Sequence, residues 1–251
     1  MLRSITSILI LLTTCMGFAQ EAEIVSNTLS DDPVYYQKYG LRVGVDLSKP
    51  LRSALDENYE GLELVGDFRL SYKLYLAAEL GTEEKTTLED NFDFTTRGNY
   101  IKAGVEWNTY ENWYGMHNII SVGLRGGFST FSQTLNAYRI YTEDQYWNDN
   151  TEEFPGVANL GEYDGLTAQW AEVVVGLKVE MFKNLYMGAT VRLNYLINDT
   201  ASDVFPNLYI PGFNKVTDGS QFGVGYNYTI SYLIPIFKTA APKKNPGTSS
   251  E

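Results

Sequence analysis

The sequence predicts an all-β fold, a closed ring of eight antiparallel strands, and three observations carry that expectation. Eight segments alternate apolar and polar residues with the two-residue period of a half-buried strand. No residue on their apolar faces is charged, and the connections between them alternate short and long. Bulk composition agrees. The 251 residues are 44% hydrophobic, too apolar for a disordered chain, and include 19 Tyr, which favours strands, and 22 Gly, which favours turns. A formal net charge of -12 argues against a nucleic-acid partner, and a single Cys excludes an internal disulfide framework.

The chain begins with an export pattern. Arg3 supplies a positive start, residues 5–12 a short apolar core, and Gly17-Phe18-Ala19 small residues ahead of a cut before Gln20. Residues 1–19 are therefore expected to be a signal peptide and 20–38 a periplasmic N-terminal segment. Cys15 follows Thr14, where a lipidation signal places Gly, Ala or Ser, so lipidation is the weaker reading.

The strands follow in order. Residues 41–47 set Leu41, Val43, Val45 and Leu47 against Arg42, Gly44 and Asp46. Residues 62–70 set Leu62, Leu64, Phe68 and Leu70 against Glu63, Asp67 and Arg69, and a tight turn leads to residues 74–80, with Glu79 on the polar face. Residues 101–107 carry Lys102 and Glu106 opposite Ile101, Val105 and Trp107; residues 120–128 carry Arg125 opposite Ile120, Val122, Leu124 and Phe128. Residues 171–180 place Glu172, Lys178 and Glu180 opposite Val173, Val175 and Leu177. Residues 185–194 place Arg192 opposite Met187, Val191 and Leu193, and residues 223–232 close the ring with Asn227 and Thr229 opposite Tyr226, Tyr228 and Ile230.

The polar face thus collects thirteen charges: Arg42, Asp46, Glu63, Asp67, Arg69, Glu79, Lys102, Glu106, Arg125, Glu172, Lys178, Glu180 and Arg192. A soluble barrel would turn its apolar face inward, and a narrow interior lined by thirteen charges could hold no fatty ligand. Apolar residues toward lipid and charges toward the lumen is the arrangement of a transmembrane outer-membrane barrel, with a β-sandwich as the alternative reading of alternation alone. Connections at 71–73, 108–118 and 182–184 are short, as periplasmic turns are, and those at 48–61, 81–98, 129–169 and 196–221 are long, as extracellular loops are. The barrel is expected over 39–237, with 238–251 a flexible periplasmic tail. Trp107, Tyr110, Trp113, Tyr114, Phe182, Tyr72 and Tyr232 then fall at the periplasmic rim as an aromatic girdle.

The run Tyr39-Gly40-Leu41-Arg42-Val43-Gly44-Val45-Asp46-Leu47-Ser48-Lys49-Pro50, with Gly66-Asp67-Phe68-Arg69-Leu70, Ala77-Ala78-Glu79-Leu80-Gly81, Phe94-Thr95-Thr96 and Asn112-Trp113-Tyr114-Gly115-Met116, resembles an uncharacterised Bacteroidota family of small outer-membrane barrel proteins. The resemblance covers nearly the whole chain after the export signal. It implies a fold and a compartment, the outer membrane of a Gram-negative bacterium, and brings no catalytic or ligand-binding motif.

Chemistry is sparse. The only His, His117, falls in a periplasmic turn away from the long loops, so a His-based triad at the outer rim lacks its base and no enzymatic activity is expected. Eight strands enclose a space that side chains just fill, so the lumen reads as a charge-paired plug in place of a pore. No cofactor or metal site is expected, since the acids at 149–153 lack the spacing of a Ca²⁺ loop. Between Arg139 and Lys178 there is no base, while eight acids accumulate beside Tyr146, Trp147, Phe154 and Tyr163, and Phe205, Tyr209, Ile210, Pro211 and Phe213 repeat the theme in the last loop. Aromatics within a long loop of one charge sign suit a protein contact. The expected role is a non-enzymatic accessory subunit of an outer-membrane assembly or secretion complex, binding membrane lipid through its wall and other outer-membrane proteins or surface lipoproteins through Tyr146, Trp147, Phe154 and Tyr163. A free-standing receptor or adhesin and a small pore are the alternatives.

Overall fold

The computed structural model describes residues 36–88, 92–110, 117–138, 161–200, 207–215 and 220–240. Eight long strands make the fold: β1 (Tyr36–Asp46), β2 (Tyr59–Arg69), β3 (Leu74–Leu88), β4 (Phe92–Asn108), β5 (Ile119–Tyr138), β6 (Glu162–Phe182), β7 (Leu185–Asp199) and β10 (Phe222–Ala240). Each pairs antiparallel with the next, and β1 pairs with both β2 and β10, so the sheet closes into a barrel. A helix, α1 (Ser48–Leu55), joins β1 to β2, and a small hairpin of β8 (Tyr209–Ile210) and β9 (Asn214–Lys215) lies between β7 and β10.

Every expected strand coincides with an observed one, those at 41–47 and 62–70 overrunning β1 and β2 by one residue, and the barrel reaches further at both ends, because Tyr36 pairs with Ala240. The expected signal peptide and all but the first three residues of the tail lie outside the described residues. Two connections expected to be loops are regular. Most of 81–98 is strand, with the β3–β4 ladder continuing until Leu88 faces Asp93. Within 129–169, all of 129–138 extends β5 and 162–169 belongs to β6. Periodicity misses these extensions because above the apolar section the outward face is polar and the inward face turns in part to Phe94, Phe131 and Leu135, so the alternation is lost or reversed, while the backbone ladder needs no particular side chain.

Short turns close the opposite end. The amides of Leu70 and Ser71 both donate to Leu74 O, at 2.9 and 3.1 Å. Between β6 and β7, Asn184 takes φ 66°, a left-handed conformation that Asn tolerates better than most residues. The wall between the ends is inverted relative to a soluble protein. Leu64, Leu80, Ile101, Leu124, Val175, Val191 and Val224 point outward and are 47 to 69% exposed, while Arg42, Glu63, Glu79, Lys102, Glu106, Arg125, Glu172 and Arg192 are buried inside. On β5 the outward apolar run from Ile120 to Phe128 rises on the order of 20 Å at the usual strand spacing and tilt. A polar outward border of Thr82, Asn99, Thr130 and Gln169 ends it on the long-loop side. Across five adjacent strands Gly66, Ala78, Ala103, Gly126 and Ala171 stand directly opposite one another, a shallow groove in this wall. Trp107, Phe182 and Tyr232 project outward at the short-turn rim as expected of a girdle. Tyr72 is half-buried under the Arg69 guanidinium instead, and Trp113 and Tyr114 lie outside the described residues.

Candidate functional site

Because side chains alternate along each strand, the charges of the polar faces converge on one axis, and the antiparallel registers decide which ones meet. Glu79 of β3 is the hub. It accepts from Arg192 Nη1 at 2.6 Å and Nη2 at 3.0 Å, from Arg125, and has Lys102 Nζ at 3.7 Å. Arg125 and Lys178 share Glu106, the latter at 2.9 Å, and Lys178 also donates to Asp67 at 2.9 Å, beside which Arg42 lies at 3.5 Å. Lys102 reaches Glu63 and Glu172 at 3.7 and 3.5 Å, and Arg192 lies 3.6 Å from each of the same two acids. Ten of the thirteen charges placed on the polar face thus form one connected network, with alternating signs that make burial tolerable.

The other three are held differently. Glu180 pairs with Lys38 at 3.0 Å near the short turns. Arg69 takes its acceptors from neutral groups, the carbonyls of Ser71, Tyr72 and Lys38 and the Gln37 side chain, and so locks the β2–β3 turn. Asp46 accepts from Ser48 N–H and Oγ–H, Asn227 Nδ2 and the Tyr228 amide, tying α1 to β10. These two are polar fasteners of the backbone, a role that counting opposite charges along a face does not distinguish from ion pairing.

Toward the long loops the lumen turns apolar, in contrast to the expected interior lined by charges. Tyr100, Phe131, Leu166, Ala168, Trp170 and Leu196 from the wall pack with Ile210 and Phe213, which the β8–β9 hairpin folds inward. Tyr209, Ile210 and Phe213, expected in an outward loop, are at most 2% exposed: burying three large apolar groups over the mouth outweighs leaving them in water. Trp170 meets Phe213 edge to face, with ring centroids 6.0 Å apart, and its indole donates to Glu172 at 2.7 Å. It fits because residue 127 is glycine, where a Cβ would stand 2.1 Å from the indole.

Glu83 fastens this lid. Its carboxylate accepts from Lys49 of α1, from the Tyr59 hydroxyl at 3.1 Å, from the Tyr209 hydroxyl at 2.7 Å and from the Gly212 amide at 3.0 Å. Gly212 sits at φ +82° against the Tyr100 ring, a conformation and a clearance that suit only glycine. Burial opposes the charge on Lys49, and Glu83 with its neighbours outweighs that burial, so the Lys49 pKa lies above its ordinary value. Neither Lys49 nor Glu83 falls in the alternating core of a strand, which is why pattern reading passes over both. Glu83→Ala is expected to speed amide hydrogen exchange at 209–215 by an order of magnitude or more while β4 and β5 stay protected, since about 1.4 kcal/mol of local opening energy is tenfold in rate.

Small cavities interrupt the filled lumen among the described residues. One of about 30 Å³ lies at the short-turn end between Lys38, Arg42, Arg69, Tyr75, His117 and Tyr186; one of about 20 Å³ lies among Arg42, Asp67, Glu79, Lys178 and Arg192. Each has room for about one or two waters. His117 is half-buried at the short-turn end, far from the lid, and burial lowers its pKa, with Glu180 opposing the shift and Lys38 and Arg69 adding to it. Among the described residues no cluster of His, Cys, Asp or Glu could hold a metal, and no helix is long and apolar enough to cross a membrane.

Tyr163 belongs to β6 and not to the preceding loop, and its ring packs against the lid core and against Phe94, Leu135 and Tyr209. Tyr146, Trp147 and Phe154, the other three expected contact aromatics, lie outside the described residues.

Among solved structures the chain is similar to the attachment invasion locus protein Ail of Yersinia pestis, at 9% identity over 80% of this chain and 98% of that one, with a TM-score of 0.40. It is also similar to Neisserial surface protein A, at 8% identity over 80% and 99% with a TM-score of 0.38, and to CarO2 of Acinetobacter baumannii, at 9% identity over 81% and 100% with a TM-score of 0.38. No curated protein matches. The family described as a domain of unknown function, DUF6048, matches residues 1–239, nearly the entire sequence, and the chain belongs to that family.

Proposed function

We propose that this protein is a sealed, non-enzymatic barrel of the bacterial outer membrane that works as an accessory subunit of an assembly or secretion complex. One observation carries the reading: the exposed outer wall is apolar and the buried interior is charged, a polarity stable only with lipid outside. Sealing is supported by the ion-paired interior, in which the cavities described are of only about 30 and 20 Å³, and by the hydrogen-bonded lid at the long-loop end. With the interior given to salt bridges, the outer surface and the loops are what remains to work with. The acidic, aromatic segment from 140 to 163, without a base, is the segment best suited to steer and hold a basic protein surface.

Affinity purification from native membranes in mild detergent tests the proposal. A stoichiometric partner is expected, lost when Tyr146, Trp147 and Phe154 are replaced by Ala in a barrel that still shows heat-modifiable migration. A lone monomer would favour a free-standing receptor or adhesin. Retention of the partner by the triple variant would move the contact to the wall, where the groove of Gly66, Ala78, Ala103, Gly126 and Ala171 allows close backbone approach. Conductance steps in a planar bilayer would contradict sealing.

A further inference from the structure

The helix α1 is amphipathic in the inverse sense of a helix on a soluble protein. Its outward face, at the spacing i, i+3, i+4, i+7, i+8, is Leu47, Pro50, Leu51, Ala54 and Leu55, all apolar and all exposed, with Leu51 59% and Leu55 81% open. Its inward face is polar and engaged. Lys49 is bound to Glu83 across the mouth. The Arg52 guanidinium lies 4.0 Å over the Tyr59 ring and 3.8 Å from Asp56, and Ser53 Oγ accepts from the Gly61 amide at 3.0 Å. Asp46 takes the Ser48 amide at 2.9 Å and so fixes where the helix starts. Four polar ties to the rest of the barrel, at Ser48, Lys49, Arg52 and Ser53, orient the helix with its greasy side away from the protein, an arrangement that in water would be unfavourable at every exposed leucine.

The position supplies the occupant. Leu47, the exposed residue between β1 and α1, follows the outward row Leu41, Val43 and Val45 of β1 and heads the helix stripe, so the apolar face of α1 continues the apolar wall. On the adjoining β2 the outward apolar row ends at Leu62, with exposed Glu60 beyond it, while on the adjoining β10 it continues through Tyr226, Val224 and Phe222, so α1 lies along the long-loop part of the apolar section. We infer that α1 is an interfacial helix whose Leu51 and Leu55 side chains insert into the acyl region of the outer leaflet, fixing how deep the barrel sits and coupling the lid, through Lys49 and Glu83, to the membrane surface. This rests on the reading of the wall as lipid-facing. An interfacial helix of this kind buries its apolar face about 5 to 10 Å below the headgroups, shallower than the outward residues at mid-wall.

The test uses the full chain reconstituted in phosphatidylcholine bilayers, with Cys15→Ser removing the only native thiol and one environment-sensitive fluorophore attached in turn at Leu51→Cys, Leu55→Cys, Val175→Cys and Glu57→Cys. Nitroxide lipids quench from near the glycerol or from near the acyl terminus, and iodide quenches from water. Labels at 51 and 55 are expected to lose most of their emission to the shallow lipid quencher and little to the deep one or to iodide, the label at 175 to the deep quencher, and the label at 57 to iodide. If 175 responds to lipid while 51 and 55 respond to iodide as 57 does, the helix inference fails and the barrel reading stands. If 51 and 55 escape both lipid and iodide, protein covers the helix and the inference fails likewise. If 175 itself escapes lipid, the membrane reading fails and takes the inference with it.

Discussion

Glu79→Ala is expected to destabilise the barrel by about 3 to 5 kcal/mol, the cost of removing one partner from a buried ion pair. The size follows from what the carboxylate holds. Arg192 donates to both its oxygens, Arg125 to one, and Lys102 lies 3.7 Å away, so its loss leaves three cations facing one another in a lumen closed to bulk water. Glu106, Glu63 and Glu172 would still compensate part of that charge, because Arg125, Arg192 and Lys102 each touch another acid. Urea unfolding of the reconstituted protein, followed by heat-modifiable gel migration, measures the effect. An exposed acid such as Glu57 serves as the control, where the same substitution is expected to change little. Equal behaviour of the two variants would mean that the lumen is hydrated enough to screen its charges.

Val175→Arg is expected to cost about 2 to 4 kcal/mol, the penalty for a guanidinium near the midplane of the lipid-facing surface of such barrels. Val175 is 52% exposed and pairs with Val122 and Val191, themselves outward and apolar, so neither register partner offers an acid to receive the new charge. Thr190→Ser, on the lumen side of the neighbouring strand, removes one methyl group and is expected to change stability by less than about 1 kcal/mol. In an aqueous sheet the first substitution would be nearly neutral, so the contrast between the two reports the solvent outside the wall.

The faces of the strands were legible because a period of two assigns every side chain to one side once a single residue is placed, and burying a charge on the wrong side is prohibitive. Which charge meets which was not. Glu79 and Arg192 are 113 residues apart and come together only through ring closure, which no local pattern encodes. The lid was misread for a related reason: Tyr209, Ile210 and Phe213 form a hairpin of two-residue strands, too short for a period, and only the Trp170 and Tyr100 rings across the mouth give them a core to join. The helix was within reach of the sequence. Leu47, Leu51 and Leu55 recur at i, i+4, i+8, and Pro50 stands in the first turn, where its missing amide hydrogen costs nothing. Its polar face, Ser48, Lys49, Arg52 and Ser53, reads as an ordinary solvated loop until the acid that holds Lys49 is located in space.

The central claim, a wall solvated by lipid around a charged and sealed interior, is tested most directly by spin-label accessibility along β6 in bilayers. Labels placed in turn at Gln169, Val173, Val175, Leu177 and Phe182 sample the outward positions of this strand from the polar border to the opposite rim. The account predicts that collision with oxygen, which concentrates in acyl chains, peaks at Val175 and falls toward both ends, while collision with a water-soluble nickel chelate shows the reverse profile. High nickel accessibility at Val173, Val175 and Leu177 would contradict it and would place this wall in water.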